Sequence, residues 1–129
     1  MEERPVSNYR NGGDLERAAK KHLETEGYYV VKSAGSKGLA DLVALKRGET
    51  LLIQCKTRGT MTRAARMALR MLALRVGATP LLCSWYKEGS AARVPSFGEL
   101  VAAGLLPWTA DRAFALADAR LNAIADGGL

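Results

Sequence analysis

The chain has 129 residues, with 19 Lys plus Arg against 13 Asp plus Glu, 48% hydrophobic and 25% charged residues. This is the composition of one ordinary globular domain spanning residues 1–129 and argues against intrinsic disorder. A chain of this length buries roughly two-thirds of its unfolded surface, enough for a core without metal or disulfide staples. No stretch approaches the roughly 18 apolar residues of a membrane span, and the opening MEERPVSNYRNGG has no signal-like apolar segment, so the expectation is a cytoplasmic protein without membrane contact. Cys55 and Cys83 are too few for a disulfide framework and read as buried thiols, and the single His22 excludes histidine-rich metal sites.

The net charge of +6 is unevenly spread. Residues 50–87 carry seven basic side chains and no acidic one, while the flanking parts are nearly balanced. A basic segment of this density attracts polyanions, nucleic acid above all, because binding releases condensed counterions. A solvated helix face is the alternative.

In chain order, Leu15, Ala18, Ala19, His22 and Leu23 share one helical face, predicting an amphipathic helix over 14–26, capped by Asn11 or Asp14 and ended by Gly27. His22 falls on the apolar stripe and reads as a packed residue. Tyr28–Lys32 reads as a strand, and Asp41–Lys46 with Leu51–Lys56 as a hairpin turning at Arg47, Gly48 and Glu49. A second helix over 62–76 buries Ala65, Ala68, Leu69, Leu72 and Val76 and aligns Arg63, Arg66 and Arg70 on another face, with Gly77 as its stop. A strand over 79–86 and a possible one at 92–94 follow. Ser96 and Glu99 have capping-box spacing, which predicts a short helix through Ala103, and a last helix is expected over 110–125. The order implies an α/β or α+β fold with a mixed central sheet flanked by helices, its core over about 11–103.

Gln54 and Lys56 lie two apart in a strand and share a face, opposite Leu51, Ile53 and Cys55. If the hairpin turns through Gly48 and Glu49, Asp41 falls opposite Lys56 and Val43 opposite Gln54, so Asp41, Gln54 and Lys56 cluster. A carboxylate, an amide oxygen and an ammonium at one spot suit metal-assisted phosphodiester hydrolysis. A surface ion pair between Asp41 and Lys56, worth about 0–1 kcal/mol, is the plainer alternative.

The segment DLERAAKKHLETEGYYVVKSAGSKGLADLVALKRGETLLIQCK (residues 14–56) resembles the core of the PD-(D/E)XK nuclease superfamily, and most of all the archaeal-type Holliday junction resolvases found also in phages. The resemblance implies a restriction-endonuclease-like core and a metal-dependent structure-selective DNA endonuclease, acting as a homodimer on four-way junctions. By the same resemblance Asp41 is the metal-binding aspartate, Lys56 the catalytic lysine, and Glu16 the first-helix glutamate that assists metal or water. The backbone carbonyl of Cys55 completes the ligands of Mg²⁺, for which Mn²⁺ can substitute. Ser36 stands near the scissile phosphate, and Arg17, Lys32, Lys37 and Arg58 join the arginines of the second helix as DNA contacts. The departure is Gln54, where most members carry glutamate. It leaves two other readings: an Mrr-like nuclease acting on duplex DNA, or an inactive DNA-binding module with the same fold.

Overall fold

The computed structural model describes residues 8–33, 38–85 and 94–110, with side chains from residue 13 onward. The elements, in chain order, are α1 (Asn8–Thr25), β1 (Tyr29–Lys32), β2 (Leu42–Lys46), β3 (Glu49–Cys55), α2 (Arg63–Val76), β4 (Thr79–Trp85), β5 (Pro95–Val101) and β6 (Gly104–Trp108). The strands form one six-stranded sheet in the order β1-β2-β3-β4-β5-β6. Only β3 and β4 run parallel, joined by α2 as the crossover, and all other neighbours are antiparallel. This is the mixed α+β sheet expected from the sequence. No helix of the described residues is long and apolar enough to cross a membrane.

The helices lie on opposite faces. On one, Leu15, Ala19 and Leu23 of α1 pack on Leu42, Ala44, Leu51, Ile53, Leu81 and Cys83. On the other, Leu69 and Ala73 of α2 pack on Leu52, Leu82 and Leu100. Strand alternation explains the division, because Leu51 and Ile53 point one way and Leu52 the other. His22 is half-buried with its ring 5.7 Å from that of Phe97, and Phe97 meets Trp108 edge-on at 5.5 Å. Its packed role stands.

Several local expectations are corrected. The first helix begins at Asn8, so Asn11 and Asp14 lie within it rather than capping it. On α2, Thr62 is the N-cap, its side chain accepting from the Ala65 N–H, and Gly77 closes the helix at φ 73°. Val76, expected inside, is 57% exposed although it shares the stripe of Leu69 and Ala73, because it is the last residue of α2. The capping box at Ser96 and Glu99 opens no helix, since Pro95–Val101 is a strand. Phe97 packs on the α1 side and Leu100 on the α2 side. A strand buried on both faces therefore repeats at three, imitating a helical stripe. Tyr86, Ala92 and the expected last helix beyond Ala110 lie outside the described residues.

Candidate active site

The β2–β3 hairpin pairs Lys46 with Glu49 and Leu42 with Ile53, so it turns through Arg47 and Gly48, with Gly48 in the left-handed region at φ 73°. In this register Val43 is paired with Leu52 instead of Gln54, and Asp41 lies just before the first pair, Leu42 with Ile53, instead of opposite Lys56. The displacement from the expected pairing is two residues. Because side chains alternate with period two, Gln54 and Lys56 share the face that carries Leu52 and α2, whereas Asp41, a bend residue just before β2, leaves the ladder with its N–H turned to Ile53.

Asp41 is fixed on all sides. Its N–H donates to the Ile53 carbonyl at 2.8 Å, and its own carbonyl accepts from the Ser33 N–H at 2.9 Å. Its carboxylate Oδ2 accepts from the Cys55 N–H at 2.8 Å. Asp41 thus grips the two residues flanking Gln54, and its carboxylate replaces a backbone acceptor where the β2–β3 ladder runs out. Peptide geometry turns the Cys55 carbonyl to the same edge as its N–H, towards Asp41. On the other edge of β3, the Lys56 N–H donates to the Cys83 carbonyl at 2.9 Å, which holds the strand end against β4.

Glu16 approaches from the α1 side. Lys32, whose pairing with Leu42 turns it to that same face, sits 3.4 Å from Glu16 Oε1. The Cys55 thiol lies within the field of both acids. Its pKa is pushed up first by a hydrogen bond with the Cys83 thiol, then by burial, and further by the negative fields of Asp41 and Glu16. Cys83 is directly opposite Cys55 across the parallel pair, and both thiols are free. The site therefore straddles the end of the sheet, with Glu16 on one face, Gln54 and Lys56 on the other, and the Asp41 carboxylate at the rim between them.

No ion pair joins Asp41 to Lys56 among the described residues, and Lys56 is exposed. Arg17 is exposed and paired with Asp14 one turn away on α1. Arg58 is exposed in the turn closed by the Gly59 N–H on the Lys56 carbonyl. Ser36 and Lys37 lie outside the described residues. Arg63, Arg66 and Arg70 line a groove against the β5–β6 turn. Two hydroxyls escaped the sequence reading. Ser84 continues the row of Lys56 onto β4 and pairs with Ser96 on β5, and both line a recess of about 250 Å³ with Gly59 and Gly98. The alternation of β4 could have found Ser84, whereas Ser96 was hidden by its capping-box spacing.

A mixed sheet whose β-hairpin presents an aspartate and a Q-x-K strand end, backed by a helix bearing glutamate, defines a nuclease-type core of the PD-(D/E)XK superfamily. The family model described as archaeal Holliday junction resolvase matches residues 7–103, and the chain belongs to that family. A crossover junction endodeoxyribonuclease Hjc of Methanocaldococcus jannaschii is 53% identical over 49 residues, which are 38% of this chain and 36% of that relative. The match thus spans little more than a third of the relative's length. The solved structure of Archaeoglobus fulgidus Hjc, a Holliday junction resolvase from an archaeal hyperthermophile, superposes with a TM-score of 0.54 at 22% identity. It covers 67% of this chain and 70% of that one, a likeness of fold.

Proposed function

We propose that this chain is a metal-dependent DNA endonuclease that hydrolyses phosphodiester bonds in branched DNA, four-way junctions first among them, in the cytoplasm. The observation that carries the reading is the Asp41 carboxylate held by the N–H of Cys55, the residue between Gln54 and Lys56 in the chain. Family membership and the name of the Methanocaldococcus relative support it.

The donor set suits a hard divalent cation. Asp41 offers a carboxylate, Gln54 an amide oxygen and Cys55 a carbonyl, and Glu16 adds its negative field at Cys55. Among the described residues no group of three His, Cys, Asp or Glu side chains converges. The oxygen donors named suit Mg²⁺ or Mn²⁺, since Mg²⁺ is commonly held by one or two carboxylates and keeps several waters. When bound, the ion supplies an acidified water and offsets charge on the phosphate. The protein contributes the rest. The Asp41 hydrogen bond fixes its carboxylate before substrate arrives, so no reorganisation is needed during the reaction. The exposed Lys56 ammonium can reach a phosphate oxygen and stabilise the charge that develops on it, or orient the attacking water. Lys32 holds Glu16 in place and adds positive charge for the DNA backbone.

Paired cuts across a two-fold junction need two sites related by a matching axis, which a homodimer provides. The test is nicking of a synthetic four-way junction with and without Mg²⁺. Asp41→Ala and Lys56→Ala are expected to abolish cleavage and to leave junction binding within a few-fold. Wild-type cutting rates in either variant would refute the assignment. A second reading, an inactive DNA-binding module, is favoured by the neutral amide of Gln54; it predicts junction binding without cleavage at any Mg²⁺ or Mn²⁺ concentration.

A further inference from the structure

The second concentration of positive charge lies on α2. Arg63, Arg66 and Arg70 of α2, with Met67, line one side of a groove of about 410 Å³ whose other wall is the β5–β6 turn from Val101 to Gly104. Register places this turn at the opposite end of the sheet from Lys56. Val101 continues the row of Thr79 and Leu51, at the far end of β3 and β4 from Cys55 and Cys83. Five to six residues of strand and two strand spacings put the turn wall of the groove roughly 20 Å from the strand end that carries Lys56.

No described carboxylate pairs with these arginines. Glu99, the nearest acid in β5, alternates with Gly98 and Leu100 and so faces the α1 side with Phe97. The turn itself contributes Val101, Ala102, Ala103 and Gly104, small uncharged residues that let a backbone approach closely. The arginines extend along about 10 Å of helix, too far to converge on a single small anion. A polyanion with a charge every ~3.4 Å along each strand meets all three.

We propose that this groove is a second DNA station, taking the phosphate backbone of a duplex arm about six base pairs from the bond being cut. The proposal rests on the nuclease reading for its substrate, and it explains why the basic excess sits in α2 rather than around Lys56 alone. Phosphate contacts of this kind position DNA without reading its sequence, which a structure-selective enzyme requires.

The test is binding of the full chain to uncleaved junctions without divalent metal, across a range of salt concentrations. The triple variant R63Q/R66Q/R70Q is expected to flatten the slope of log affinity against log salt by about 2 to 3 and to weaken low-salt binding tenfold or more. Ala102→Glu, which leaves every arginine in place but puts an anion on the opposite wall, is expected to weaken binding in the same direction. Lys21→Gln, on the exposed side of α1, serves as a control with little effect. On junctions whose arms are cut to about 4 base pairs, too short to span the ~20 Å, wild type and triple variant are expected to bind alike. A wild-type salt slope in the triple variant, or an equal loss on short and long arms, overturns the second station while leaving the nuclease reading intact. Absence of cleavage by a wild-type protein that binds with the expected arm-length dependence would do the reverse.

Discussion

The Asp41 carboxylate accepts the Cys55 N–H at 2.8 Å, so the acid best placed for chemistry is also the cap on the last rung between β2 and β3. Two consequences separate on substitution. Asp41→Asn keeps an acceptor for the N–H and is expected to fold normally while losing cleavage. Asp41→Ala leaves the Cys55 N–H without that partner and is expected to cost about 1–2 kcal/mol as well. Urea denaturation alongside a nicking assay distinguishes them, and equal stability of the two variants would show that the hydrogen bond contributes nothing to the fold.

Gln54→Glu places a second carboxylate between Ile53 and Cys55, the two residues that Asp41 binds. The added charge is worth on the order of 1–2 kcal/mol towards a divalent ion at a solvated site, or about tenfold in affinity. Half-maximal cleavage is therefore expected at about a tenth of the parental Mg²⁺ concentration. An unchanged requirement would remove Gln54 from the metal's surroundings.

Tyr28 supplies a prediction about pH. Its ring lies beneath the Lys46 ammonium, 4.8 Å from the centroid, and its buried hydroxyl has no hydrogen-bond partner among the described residues. Burial first, then the charges of Glu49 and Glu26, push its pKa up to about 12 from 10.0. The folded state thus favours the neutral phenol; that stability is complete below pH 10 and is lost as pH climbs from 10 towards 12. The raised Cys55 thiol acts with the same sign, its contribution falling from about pH 9 upwards. Tyr28→Phe is expected to flatten the loss above pH 10 and, by removing an unsatisfied hydroxyl, to gain up to about 1 kcal/mol at neutral pH. Denaturant midpoints measured across this range check both effects.

Thr62→Ala removes the acceptor for the Ala65 N–H, 3.1 Å away, at the start of α2. A loss of about 1 kcal/mol is expected, visible as a lower thermal midpoint, and Thr62→Ser should restore most of it.

Much of this arrangement was legible in the residues themselves. The stripe of Leu15, Ala19 and Leu23 identified α1, and the polar alternation of Gln54 and Lys56 identified the chemically distinct face of β3. The pairing was off by two because Gly48 can occupy the left-handed position of more than one turn, and which neighbour completes the turn depends on packing outside the hairpin. The hydrogen bond from Cys55 to Asp41 had no sequence signal at all, since it joins a side chain to a backbone group. The β5–β6 hairpin was hidden because its buried residues serve two cores at once. The arginines were read correctly as one face of α2, but only the strand order reveals that this face ends at the far side of the sheet.

The hairpin through Arg47 and Gly48 carries an arithmetic constraint on how this protein can change. Sliding β2 past β3 by an even number of positions keeps Leu42 and Ala44 under Leu15, Ala19 and Leu23, whereas an odd slide would turn both away from α1. Insertions there are tolerable only if the new loop absorbs them or they come in pairs, so relatives of this chain should differ freely in hairpin length yet share one parity.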